Sequence, residues 1–306
     1  MTGFETEGKG TFAMDFGCEQ LRAAMLTGQI LQGRARAFDA QKQLRFSFAG
    51  CEGVMPYEEC AEGIAEGTVR QIAILTRVGR PVCFVVTGFT AGPNGPVALL
   101  SRTKAQQRCR RQYLSGLRCG DILDCTVTHI EPFGAFCDVG CGISALLPID
   151  CLSVSRISSP TDRVAVGQQL HCVIRSIDAQ GRFVLSLREL MGTWQENAAL
   201  FSAGETVLGI VRSVEDYGVF VELAPNLAGL AEPSGKLLAP GQVVSVYIKS
   251  ILPEKMKVKL VILAALDEQY TIAPHYFITQ GHLDRWVYST DTTRRTIETD
   301  FNTPCV

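Results

Sequence analysis

Neither sign of charge dominates this 306-residue sequence: 29 Lys and Arg face 31 Asp and Glu, a formal net charge of −2. That balance excludes a polycation that coats nucleic acid over its whole surface, but not a protein whose basic groups are gathered locally. Long apolar runs are missing too. The longest, residues 260–266, falls far short of the roughly 18–20 residues of a membrane-spanning helix. The first residues, 1–11, are polar and lack the apolar centre of a secretory signal. No two of the 12 cysteines are separated by two residues, so no zinc ribbon or thioredoxin-type motif is present. Cys137 and Cys141 lie close together, yet no neighbouring histidine completes a metal shell. The glycines form neither a P-loop nor a dinucleotide fingerprint. The expectation is a cytoplasmic protein with reduced, mostly buried thiols, no cofactor and no metal.

What the sequence does contain is internal repetition. Ile130-Glu131-Pro132-Phe133-Gly134-Ala135-Phe136 aligns without a gap on Val214-Glu215-Asp216-Tyr217-Gly218-Val219-Phe220, a shift of 84 positions. A second block, Val166-Gly167-Gln168 through Arg175-Ser176-Ile177, recurs as Pro240-Gly241-Gln242 through Lys249-Ser250-Ile251, a shift of 74. The missing ten residues fall in the polar stretch 153–163, which is read as a surface loop because loops tolerate insertion and ladders do not. A period this long indicates two copies of one domain rather than a solenoid.

Each copy reads as strands. Leu123, Cys125 and Val127 alternate with polar neighbours, as do Phe183, Leu185 and Leu187, and Val258, Leu260 and Ile262. Pro132 with Gly134, Gly140 to Gly142, and Gln180-Gly181 mark turns between the runs. About five short strands in some 65–75 residues fit a small closed barrel of the OB type.

The pattern of aromatic–Gly–small–Phe, then small–Leu, then Gly–Gln and a final strand resembles the S1-type RNA-binding domain, and it occurs twice. A degenerate third copy precedes these two: Gly53-Val54-Met55-Pro56-Tyr57-Glu58-Glu59 resembles Ala145-Leu146-Leu147-Pro148-Ile149-Asp150, but no aromatic–Gly–x–aromatic stands near residues 41–45. The expected architecture is all-β: three tandem five-stranded OB barrels joined by short helices, with a C-terminal α/β extension. The expected boundaries are a helical segment 1–28, a degenerate domain 29–103, a basic linker helix 104–116, a domain 117–188, a linker helix 189–202, a domain 203–266 and an aromatic extension 267–306.

An OB barrel grips single strands by stacking bases on exposed aromatics and tracking phosphates with basic groups. By the resemblance, Phe133 and Phe136 in the middle copy, and Tyr217 and Phe220 in the last, form the RNA face. The family's histidine on the next strand is replaced by Pro148 and Glu232. Its basic residue before the last strand is kept as Arg182 and Lys257, with Asp178 as an acidic companion in the middle copy only, and Arg175 and Lys249 occupy matched positions on the preceding strand. Residues 101–120 hold Arg102, Lys104, Arg108, Arg110, Arg111 and Arg118 with no acid, and Arg108 and Arg111 are read as part of a phosphate track on a helix. His129 is read as a hydrogen-bonded strand-end histidine. His275, His282, Asp284 and Cys305 are read as a packed β-hairpin with a structural histidine, not as a catalytic or metal site.

The resemblance implies a non-enzymatic protein that binds single-stranded RNA (mRNA) and assists its capture by the small ribosomal subunit, with residues 29–103 as the ribosome-docking copy. A monomer is expected. The alternative is a protein-interaction or regulatory module with weak or no RNA binding, motivated by Pro148, Glu232 and the net charge of −2.

Overall fold

The computed structural model describes residues 4–9, 16–93, 95–233, 237–293 and 296–302. Cys305 lies outside them. Two compact units are present: residues 1–117 with 138–143, and residues 118–137 with 144–306.

The first unit opens with helix α1 (Cys18–Thr27), which buries Leu21 and Ala24 and ends at Gly28, where φ is 66°. Strands β1 (Leu31–Arg34), β2 (Ala37–Phe38), β3 (Gln43–Phe48) and β4 (Cys51–Pro56) follow, then a short helix α2 (Gln71–Leu75). Strands β5 (Pro81–Gly92) and β6 (Gly95–Ser101) lead into helix α3 (Arg102–Gln112). The sheet has six strands in the order β1-β5-β6-β4-β3-β2 and its ladder does not close. The expected five-stranded barrel is therefore interrupted here. Its first strand is split: β1 pairs with β5 on one edge, whereas β2 pairs with β3 on the other. At the break the Ala35 amide donates to the Arg80 carbonyl and the Arg36 amide to the Arg45 carbonyl, so neither strand extends across the gap. Inside the sheet Phe46, Phe48 and Phe84 pack with centroids 5.6–6.2 Å apart.

The second unit holds two closed five-stranded barrels. The middle barrel comprises β7 (Ile122–Glu131), β8 (Gly134–Asp138), β9 (Ser144–Pro148), β10 (Gln169–Ile177) and β11 (Phe183–Ser186). The last barrel comprises β12 (Thr206–Glu215), β13 (Gly218–Ala224), β14 (Leu227–Ala231), β15 (Val243–Leu252) and β16 (Lys257–Leu266). Closure removes the free edges that short strands otherwise expose.

Between the barrels the expected long helix shrinks to α4 (Trp194–Ala198), capped by the Thr193 hydroxyl. Gly192 stops it from starting earlier: its φ is 79°, and a Cβ there would lie 2.6 Å from Phe277. The stretch 153–163 is not a free surface loop. Ser153, Pro160 and Arg163 are buried, and the Val154 amide donates to Asn226 of the last barrel at 3.0 Å. The insertion is a strut that the last barrel covers.

The C-terminal extension has an antiparallel pair, β17 (Arg285–Val287) and β18 (Glu298–Asp300), and no helix among its described residues. The α part of the expected α/β extension is thus missing: the chain lies extended along both barrels and hydrogen-bonds to them instead. Gly281 accepts from Ile122 and Gly120 accepts from Leu283 on the middle barrel's side, and the Tyr288 hydroxyl donates to Asn226 at 2.6 Å. Trp286, Tyr288 and Phe301 enter the core shared with Leu190, Trp194 and Val246. Side chains of this size bury about 150–250 Å² each, so each contributes several kcal/mol at about 25 cal/mol per Å². His282 bonds Asp121 through Nδ1 at 2.7 Å. The eleven described cysteines are free thiols. No helix among the described residues is long and apolar enough to cross a membrane.

Candidate nucleic-acid interface

The site begins with a glycine in each barrel. A Cβ on Gly134 would lie 2.5 Å from the Leu147 carbonyl oxygen, and one on Gly218 would lie 2.5 Å from that of Ala231. Only glycine lets the second strand run this close to the third, so the aromatic–Gly turn is imposed by backbone approach.

Register then defines the outer face. In the last barrel Ser213 stands opposite Phe220, Phe220 opposite Leu230, Leu230 opposite Lys259 and Lys259 opposite Ser250. Directly paired residues share one face of a sheet, so these five form a row across the barrel wall. The middle barrel repeats it: Leu146 stands opposite Val184 and Val184 opposite Ser176, while the Phe136 carbonyl accepts from Thr128 at 3.0 Å. None of these row residues is fully buried.

The predicted aromatics come together on this face as two equivalent pairs. Phe133 and Phe136 meet edge to face with centroids 6.1 Å apart, and Tyr217 and Phe220 do so at 6.2 Å. Phe133 is 55% exposed and Tyr217 66%. Phe136 and Phe220 are half-buried, as side chains that support the outer ring while keeping an open surface. Exposed rings of this size in pairs leave aromatic surface outside the core, available to a stacking ligand.

The basic positions are placed by a second shared device. Each barrel has a β-bulge in its fourth strand, between Ile174 and Ser176 and between Ile248 and Ser250. Arg175 and Lys249 are the bulged residues, and a bulge re-aims the side chain it carries. The Arg175 guanidinium lies 2.6 Å from the Cys151 sulfur and 3.6 Å from Asp150. Lys249 lies 3.4 Å from Glu232, the residue that stands where the family has histidine. That acid therefore partly neutralises the lysine beside it. Lys257 sits two residues before Lys259 on β16 and so shares the outer face, and Arg182 immediately precedes β11 and is exposed. Arg182 pairs with Asp178 at 2.6 Å. The Arg182 amide and then its guanidinium hold the Asp178 carboxyl below its usual range.

In the first unit the acid-free helix α3 is not a continuous phosphate track. Arg102 is buried against Glu7 at 2.6 Å, and Arg110 pairs with Glu62 at 2.6 Å. Arg108 donates to the Gly28 carbonyl and to Gln112. Lys104 and Arg111 face solvent.

His129 is the expected hydrogen-bonded strand-end histidine, with Nε2 2.6 Å from Glu131, and its side chain is also 64% exposed, with the ring 6.4 Å from that of Phe136 and inclined to it by 22°. The 84-residue shift puts His129 on Ser213, which pairs with Phe220.

Residues 117–188 match the S1 RNA binding domain. The small ribosomal subunit protein bS1 homolog of Bacillus subtilis (strain 168) is 33% identical over 106 residues, covering 34% of this chain and 28% of that protein. The small ribosomal subunit protein bS1 of Staphylococcus aureus (strain COL) is 33% identical over 110 residues, with the same coverage of 34% and 28%. These alignments span less than a third of the relatives' length. Among solved structures, a multidomain protein with nucleic acid binding domains from Streptococcus pneumoniae aligns over 77% of this chain and 73% of its own, at 16% identity and a TM-score of 0.27. Residues 117–188 thus carry the S1 RNA binding domain match, and the last barrel repeats that domain's closed five-stranded architecture and its aromatic pair.

Proposed function

We propose that the two closed barrels bind single-stranded RNA in translation, and that the chain assists mRNA capture at the small ribosomal subunit. The observation that carries this is the duplicated aromatic pair, Phe133 with Phe136 and Tyr217 with Phe220, on barrels whose fourth strands carry Arg175 and Lys249 at equivalent bulges. Stacking contributes roughly 1–3 kcal/mol per base and accepts any sequence, because every base has a π-face. Arg182 and Lys249 are already paired with acids, so stacking supplies much of the affinity. Asp178 bounds the Arg182 position by holding the guanidinium in place. The first unit, over residues 29–103, lacks the aromatic pair and is assigned to docking on the ribosome. The matched domain is a binding module, not a catalytic one.

Titration of an unstructured oligonucleotide tests the reading. The double variant Phe133→Ala, Phe136→Ala should weaken binding by about tenfold or more at equal salt. Equal affinity for variant and wild type sinks the stacking claim. Co-sedimentation with purified small subunits tests the ribosomal part, and a chain that stays at the top of the gradient counts against it. The Glu232–Lys249 pair favours a second reading, a protein-interaction module, and that reading is marked by a salt slope near zero in log affinity.

A further inference from the structure

The two barrels are not equivalent at one position on this face, and the difference is a ring. His129 ends the outer row of the middle barrel, where the last barrel has Ser213. The imidazole is 6.4 Å from the Phe136 ring and inclined to it by 22°. Phe136 in turn meets Phe133 edge to face at 6.1 Å. Glu131 Oε1 lies 2.6 Å from His129 Nε2 and fixes the rotation of the ring. The imidazole is nearly parallel to its neighbour Phe136 and its side chain is 64% exposed, so its ring is accessible to a flat ligand.

We infer that His129 is a third base-stacking ring of the middle barrel, so that this barrel offers three rings to RNA where the last barrel offers two. The inference rests on the single-stranded RNA reading given above. Its chemistry is that of the pair it extends: an accessible aromatic ring takes a nucleobase of any identity. Nε2 is engaged by the Glu131 carboxylate, so the proposed contact is through the ring face and not a phosphate contact by that nitrogen.

The test is a fluorescence titration of the full chain with an unstructured oligonucleotide of about ten nucleotides, at several salt concentrations. Three variants are compared: His129→Ser, which installs the last barrel's residue, His129→Phe, which keeps a ring without nitrogen, and the Phe133→Ala, Phe136→Ala double variant. His129→Ser should lose about tenfold in affinity with an unchanged salt slope, and His129→Phe should stay within about twofold of wild type. The inference is overturned if His129→Ser binds like wild type, or if His129→Phe loses as much as His129→Ser. A salt slope shallower by about 0.7 in His129→Ser also overturns it, since that is the mark of a lost phosphate contact. If the double phenylalanine variant weakens while His129→Ser does not, only this inference falls. If neither changes, the RNA reading falls with it.

Discussion

The guanidinium of Arg163 lies 2.7 Å from the carboxylate of Glu222, and neither side chain reaches solvent. One residue comes from the inserted strut of the middle barrel and the other from β13 of the last. Arg212 also bonds Glu222, and at 3.4 Å it reaches Asp162 of the strut. A buried charge left without its partner costs about 3–5 kcal/mol. Glu222→Ala leaves Arg163 without its carboxylate and Arg212 with Asp162 at 3.4 Å, whereas Arg163→Ala leaves Glu222 its bond to Arg212. Urea unfolding should therefore show the larger loss, about 3–5 kcal/mol, for Glu222→Ala. The reverse order of the two variants is the result that contradicts this network.

What was legible in the residues and what was not divides along this same line. The aromatic turn could be read because its glycines are demanded by close backbone approach at Leu147 and Ala231, a local constraint that leaves the same trace in both copies. The strands could be read because their alternation reflects burial inside one barrel. The strut could not: its polar residues 153–163 look like a loop, and residues more than fifty positions away, Asn226 and Glu222 among them, bury them. The burial of Arg102 in α3 could not be read for the same reason, because the acid that neutralises it is Glu7, 95 residues earlier. The split first strand of the N-terminal sheet left no trace, since the break at Ala35 and Arg36 is a matter of which carbonyls they meet.

Glu232 places a negative charge on the proposed RNA face and holds Lys249 at 3.4 Å. Both side chains are exposed, so the pair itself contributes little to folding. Glu232→Gln should leave stability within about 0.5 kcal/mol and tighten oligonucleotide binding about two- to fivefold. The salt slope should steepen by about 0.7 as Lys249 becomes free for phosphate. Unchanged affinity in this variant argues against a phosphate contact by Lys249.

Asp138 gives the first unit a pH dependence of definite sign. Burial, and then the charge of Glu7, raise its carboxyl to about 7, against the amides of Glu7 and Gly140 that favour the charged form. Glu7 itself is lowered: burial raises it, but Arg102 outweighs that. In the unfolded chain Asp138 ionises near about 4, so between about pH 4 and 7 the folded state binds the extra proton and stability falls as pH rises. Glu7 acts in the opposite sense only below about pH 4.5, where its protonation removes stability. The melting temperature of the wild type should therefore drop between about pH 5 and 7.5, and Asp138→Asn should flatten that drop. A variant whose melting curve tracks the wild type across this window removes Asp138 as the cause.

Arg102 and Arg111 stand on the same helix, yet they should answer to different measurements. Arg102 is buried and bound to Glu7 through Nε at 2.6 Å and Nη2 at 3.0 Å. Arg102→Ala leaves that carboxylate and Arg77 to share a desolvated site, which should cost about 3–5 kcal/mol. The affinity for an oligonucleotide should keep its salt slope, because no exposed cation has been lost. Arg111 faces solvent, so Arg111→Ala should leave the melting temperature nearly unchanged, with any stability difference within about 0.5 kcal/mol. If Arg111 belongs to the phosphate track, its loss makes the salt slope shallower by about 0.7, and a slope identical to wild type removes it from the RNA contact. Because each substitution takes one positive charge from the same helix, a general charge effect would move both slopes alike, whereas the distinct environments of the two side chains separate them.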